Sequence, residues 1–180
     1  RVYLRELIQS ARDAVVAVHA DPRSGRIRIA VDEEAGTLTV SDDGIGLDET
    51  EMREVLATIG ASSKRDDLDR ARTSFLGQFG IGLLSCFLIA DRIEVRSRSA
   101  RSGDASTLSW VGHSDGTFTI AVSEHPLEEP GTEVRVQARQ DEREWVEEAR
   151  VRLLALRFAS LLDLPAVLDA PAAAPGEEVH

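Results

Sequence analysis

Residues 76–91 read LGQFGIGLLSCFLIAD, and the fold turns on how this stretch is read. Gly77, Gly80 and Gly82 come first, followed by an apolar run of Leu83, Leu84, Cys86, Phe87, Leu88 and Ile89. The run is long enough for about two to three helical turns. Glycines that open a helix permit backbone angles closed to other residues and let main-chain N–H groups approach an anion. The start of the helix adds unpaired N–H groups and partial positive charge, which favour phosphate. The stretch therefore predicts a phosphate-binding loop running into a helix.

The spacing of residues 77–82, G-x-x-G-x-G, differs from the dinucleotide fingerprint and from the phosphate loop that ends in Gly-Lys-Ser/Thr. A doubly wound dinucleotide fold also requires a strand immediately before the loop and a parallel sheet, and the pattern predicts neither. Upstream, residues 1–20 place Leu4, Leu7, Ile8, Ala11, Ala14, Val15 and Val18 on one helical stripe. Alternating strands are predicted at 26–32 and 37–41, joined by a turn at 33–36, with a short helix near 48–56. Downstream, strands are predicted at 92–97, 107–111, 117–123 and 132–138, then a helix over 141–162. Consecutive alternating strands favour antiparallel pairing. The expected fold is α+β, a two-layer sandwich with helices on one face of a mixed, mostly antiparallel sheet. Residues 1–165 form the expected domain and 166–180, rich in Ala and Pro, a linker-like tail.

Composition narrows the function classes. With 21 basic and 32 acidic residues the 180-residue chain carries a net charge of −11, which argues against sequence-independent binding to nucleic acid or anionic lipid. No apolar run has the length of a membrane span. A single cysteine, Cys86, cannot form an internal disulfide and suits a reducing, cytoplasmic compartment; its place in the apolar run reads as core packing. The four histidines share no ligand spacing.

Several residues carry candidate chemistry. Glu6 lies beside the apolar stripe of the first helix, where a glutamate is either solvated or a general base for an attacking water. Asp42 ends a strand just before Gly44-Ile45-Gly46; it is either turn chemistry or an acceptor for an exocyclic amine such as that of adenine. Asp42 and Asp43 point to opposite faces in strand geometry, which disfavours a paired-carboxylate site. Lys64, the only lysine, lies in the polar stretch 57–73, read as a mobile segment, where a lysine is ordinarily solvated.

Together the order LRELI-x-x-x-x-DA, D-x-G-I-G, GQFGIG-x-x-S-x-F-L-I-AD and GTEV resembles the N-terminal ATPase domain of the heat shock protein 90 chaperone family, bacterial type. More broadly it is similar to the superfamily shared with type II topoisomerases, MutL-type repair proteins and histidine kinases. The resemblance implies a Bergerat-type ATP-binding fold whose first strand is expected ahead of Arg1. It implies that Glu6 activates the water that attacks the γ-phosphate, that Asp42 holds the adenine amine, that Gly46 lines the base and that Thr132 joins through water. It also implies that Gly77, Gln78, Phe79, Gly80, Ile81 and Gly82 wrap the phosphates and that residues 57–75 form a lid over them. Asp13, Leu47, Leu56 and Lys64 complete the implied nucleotide contacts.

Three positions depart from the family pattern, one of them Leu83, which stands where the family often has an aromatic. Ser10 stands where the family has an Mg²⁺-binding asparagine, and Val55 replaces a second asparagine near the sugar or phosphate. Serine can ligate Mg²⁺ but reaches less far from a helix. The implied activity is slow, Mg²⁺-dependent ATP hydrolysis driving a protein-folding and stress-response cycle with unfolded clients. The implied partners are a middle domain and a dimerisation domain, with a homodimer for the full-length protein. Two alternatives are a non-catalytic switch driven by ADP or ATP and a MutL-type DNA-repair ATPase; the acidic charge disfavours the second.

Overall fold

A computed structural model of the chain describes residues 2–54, 80–103, 105–159, 166–169 and 177–179. The stretch 57–75 that the resemblance reads as a lid, with Leu56, Lys64, Gly77, Gln78 and Phe79, lies outside them.

The first helix, α1 (Val2–Val16), buries Tyr3, Leu4, Leu7, Ile8, Ala11, Ala14 and Val15, the stripe that its three- and four-residue spacing predicts. Strands β1 (Ile27–Asp32) and β2 (Thr37–Asp42) form a hairpin. Residues 49–54 open α2, started by a reciprocal cap: Glu51 N–H donates to Asp48 Oδ1 at 2.9 Å and Asp48 N–H to Glu51 Oε2 at 3.0 Å. After α3 (Gly80–Leu84) come β3 (Ala90–Arg98), β4 (Leu108–His113), β5 (Phe118–Val122) and β6 (Gly131–Ala138). The last helix is α4 (Glu148–Ala159), followed by β7 (Ala166–Asp169) and β8 (Glu177–Val179).

Among the described residues eight strands join one sheet in the order β5-β4-β3-β6-β2-β1-β7-β8. Every neighbouring pair is antiparallel except β1 with β7, so the sheet is mixed and mostly antiparallel. Alternation puts one face of the central strands into the core under α1 and α4, as the α+β sandwich requires. Register sorts that face into rows. Val31, Leu38, Val136 and Ile93 form one row across β1, β2, β6 and β3, and Ile29, Val40, Val134 and Val95 form the next. The third row begins with Ile27 and then turns polar: Asp42, Thr132, Ser97.

Three expectations are corrected. The central apolar run makes only the short α3 and a 3₁₀ turn, Ser85–Leu88, before β3 begins at Ala90. Arg139 ends it, donating to the carbonyls of Phe87 and Leu88 at 3.3 and 3.0 Å. The helix expected over 141–162 is split into a 3₁₀ segment, Gln140–Val146, and α4, with Glu147 extended between them. Tertiary contacts hold the break: Tyr3 Oη donates to the Trp145 carbonyl at 2.5 Å, and Glu33 Oε1 caps α4 by accepting from Glu148 N–H at 2.6 Å. Finally, the linker-like tail contributes β7 and β8, with β7 covering the edge of β1.

Candidate functional site

The polar row is where the core face of the sheet stops being apolar. Asp42 Oδ1 accepts from Gly44 N–H at 2.9 Å, and the Thr132 N–H donates to the same carboxylate. Burial nevertheless dominates and pushes the Asp42 carboxyl up to about 7, with the charge of Asp43 adding to the rise and the two N–H donors opposing it. Asp43 faces the other way, as expected: its Oδ1 accepts from Arg26 N–H at 2.7 Å and lies 3.4 Å from His19 Nε2.

Thr132 and Ser97 lie beside Asp42 and are closed from solvent. Ser97 Oγ accepts from Leu47 N–H at 2.8 Å, sits 2.9 Å from Thr132 Oγ1 and 3.1 Å from the Gly131 carbonyl. The 44–47 loop is thus tied onto the row from above. It tolerates no side chain at Gly46, which has φ +64° and would place a Cβ 2.0 Å from the Arg98 carbonyl oxygen. The sequence-predicted residues Asp42, Gly46, Leu47 and Thr132 therefore come together. Ser97 escaped the sequence reading. The signal for it was a polar residue in phase with Ile93 and Val95, on the core-facing positions of β3.

Helix α1 carries the other candidates. Glu6 and Ser10 are one turn apart on a shared face, each half-buried, whereas Asp13 is exposed with its carboxylate 3.5 Å from Arg12. Glu6 lies against α3, since a Cβ added to Gly82 would fall 2.8 Å from Glu6 Cβ and 3.4 Å from its Oε2. Arg5 donates to Glu6 Oε1 at 2.7 Å. At the far end of the same helix the Ala14 carbonyl accepts from Ile45 N–H at 3.0 Å, and Gly44 packs so closely on Ala14 that a Cβ would meet its backbone at 2.5 Å. One helix therefore touches both glycine-bearing segments, at positions about 12 Å apart along its axis. Gly80 and Ile81 belong to α3 with Gly82.

Among the described residues no three or more His, Cys, Asp or Glu side chains gather to hold a metal. The donors that α1 offers, the Glu6 carboxylate and the Ser10 hydroxyl, are hard oxygens. They fit an Mg²⁺ ion that takes most of its ligands from phosphate and water.

A family model described as histidine kinase-, DNA gyrase B-, and HSP90-like ATPase matches residues 4–140, which include Glu6, Asp42, Gly82, Ser97 and Thr132. The chain belongs to this family. It is 36% identical over 183 residues to a protein of Methylobacterium nodulans named chaperone protein HtpG, and 35% identical over 180 residues to the HtpG of Actinobacillus succinogenes. It is 34% identical over 181 residues to the mitochondrial heat shock protein 75 kDa of Bos taurus. These matches cover 93%, 91% and 93% of this chain but only 29%, 28% and 25% of the relatives. They set the chain in the heat shock protein 90 branch of the family, as its N-terminal ATPase domain.

Proposed function

We propose that this chain is the nucleotide-binding domain of a heat shock protein 90-like chaperone and that it binds and slowly hydrolyses ATP. The observation that carries the reading is the double contact of α1, with Gly82 at Glu6 and with Gly44 at Ala14. It links the helix that bears the candidate base to the loop beside the amine acceptor Asp42.

In this reading Asp42 accepts from the exocyclic amine of adenine, while Thr132 supports the base edge and Gly46 and Leu47 lie against the ring. Asp13, Leu56, Lys64 and residues 77–82 contact the sugar and phosphates, and the 57–75 stretch closes as a lid. Glu6 orients the attacking water and takes its proton as the oxygen attacks the γ-phosphate. Ser10 would hold Mg²⁺ with the help of water, and the ion would offset phosphate charge. Slow turnover follows if lid closure, rather than chemistry, limits the rate. A middle domain, a dimerisation domain, protein clients and a cytoplasmic location complete the proposal; the buried, unpaired Cys86 suits a reducing compartment.

A second reading, a non-catalytic adenine-nucleotide switch, is favoured by Arg5 on the Glu6 carboxylate and by serine at position 10. Calorimetric titration with ADP and ATP, followed by a hydrolysis assay on the full-length protein, separates the two. Nucleotide binding with measurable turnover supports the ATPase; binding with none supports the switch; no adenine-nucleotide binding rejects both.

A further inference from the structure

Helix α4 has two apolar faces, and the core accounts for only one of them. Val151 and Ala155 are buried, with Leu154 and Phe158 packed half-buried beside them. At about 100° per residue, Ala149, Leu153 and Leu156 fall on the opposite side of the helix. All three are exposed, Leu153 by 68% and Leu156 by 41%. Arg152 and Arg157 flank them on the helix surface. A single exposed leucine needs no explanation. A stripe at i, i+4 and i+7, opposite the buried one, does: a solvated helix face is polar, and an apolar one is the face of a helix with a second partner.

Resting on the reading of this chain as one domain of a longer chaperone, we infer that the stripe of Ala149, Leu153 and Leu156 is a docking face for a domain that follows in the same chain. That domain meets it with a small apolar face of its own. Three observations favour a tethered occupant. First, the stripe is small, whereas a stable contact between free proteins buries about 800 Å² on each side. Burying two leucines supports an affinity on the order of millimolar, too weak for a second copy or a free partner. A short linker supplies an effective concentration of that same order. Second, the chain leaves close by. The last described strand, β8, touches α4, and α4 is about 18 Å long, so about eight extended residues span from β8 to the far end of the stripe. Third, the relatives extend well beyond the matched region, which is 29% and 28% of two of them. Docking here bears on the helix of Glu6, because α4 packs on α1 and Tyr3 of α1 donates to the Trp145 carbonyl just ahead of α4.

The test places the photoreactive residue p-benzoylphenylalanine at Leu153 in the purified full-length protein. The protein is irradiated at low concentration and the product is mapped by mass spectrometry. Melting curves check that the variant is folded, and the same probe at Leu156 takes its place if it is not. The expected product has the mass of one chain and joins the probe to a peptide beyond residue 180. Leu156→Glu, added beside the probe at position 153, is expected to lower the yield at least about fivefold without changing the melting curve, because a charge opposes burial of the stripe. A product with the mass of two chains, a product joined to residues 1–180, no product, or a yield that Leu156→Glu leaves unchanged overturns the inference. A natural protein that ends with this domain overturns it through the reading on which it rests. Titration of the same protein with ADP tests the nucleotide site on its own: no binding, with the cross-link intact, rejects that site and supports the docking face.

Discussion

Gly82 and Glu6 are in direct contact across the junction of α3 and α1: a Cβ on the glycine would lie 2.8 Å from the Cβ of the glutamate. Gly82 has ordinary helical backbone, so its lack of a side chain is explained by this neighbour and not by an unusual φ. The contact fixes the distance between the candidate base and the end of the glycine loop. Neither partner can swing away easily, because Glu6 sits on a helix whose next residues, Leu7 and Ile8, are locked in the core.

Gly82→Ala should therefore displace the base without disturbing the adenine end of the site. The Cβ of Glu6 is rigidly attached to α1, so relief requires a shift between the two helices. A misplacement of about 1 Å can cost on the order of 100-fold in rate. The expected result is a fall of about 10- to 100-fold in ATP turnover by the full-length protein, with ADP affinity of the domain changed less than about threefold. Unchanged turnover would separate Glu6 from the chemistry.

Glu6→Ala should abolish hydrolysis and leave nucleotide binding close to its original value, since a base contributes to the transition state and little to ground-state affinity. The change also frees Arg5, whose guanidinium now rests on the glutamate. A modest gain in ATP affinity, up to about threefold, is expected from that released positive charge. Turnover measured beside ATP titration decides it, and persistent hydrolysis would fit another base.

Asp42→Asn should cost about 10- to 100-fold in ADP affinity. The carboxylate already accepts N–H bonds from Gly44 and Thr132 before any ligand amine arrives. An amide has one acceptor oxygen, so its NH₂ must confront one of those donors or the adenine amine. The fold should survive, because the replacement keeps the size and removes a carboxyl that burial disfavours in its charged form. Calorimetry with a melting curve checks both halves; retained affinity would remove Asp42 from the adenine contact.

Much of this layout was legible from alternation and glycine placement, because both are local. Core-facing rows follow from period-two burial in β2, β3 and β6, and the position of Asp42 at the end of β2 follows with them. Features that depend on distant partners were not legible. Nothing near Glu147 breaks a helix; Tyr3 and Glu33, far away in the chain, hold the break. The Ala- and Pro-rich tail shows no strand pattern strong enough to offset its composition, yet the free edge of β1 accepts residues 166–169 in parallel. Ser97 became visible only once register placed it next to Thr132.

Ser10→Asn addresses the metal. Glu6 and Ser10 share one face of α1, but a hydroxyl on Cβ reaches less far than a carboxamide. In the unaltered domain Mg²⁺ is expected to improve ATP affinity only weakly, by less than about threefold. The asparagine variant should show a dependence of about tenfold or more, while ADP measured without metal stays the same. Titrations with Mg²⁺ and with chelator provide the comparison; an asparagine variant as insensitive to metal as the parent would place the ion's ligands elsewhere.

The proton on Asp42 makes stability and binding pH-dependent in opposite senses. Burial raises this carboxyl from the ordinary 3.8 to about 7 in the folded chain. Between those values the folded state holds a proton that the unfolded state has lost, so this group's contribution to stability falls as pH rises through the window. Below it both states are protonated and above it both are ionised, and the slope vanishes. The melting temperature of the unaltered chain relative to Asp42→Asn should therefore drop between about pH 5 and pH 7.5 and then level off. Adenine, by contrast, donates its amine to the ionised form, so ADP should bind more tightly as pH rises through the same window. Binding near pH 6.5 should also release a fraction of a proton, which titrations in buffers of differing ionisation enthalpy detect. ADP affinity that is flat across this window, with no proton released, would mean that the amine does not meet the Asp42 carboxylate.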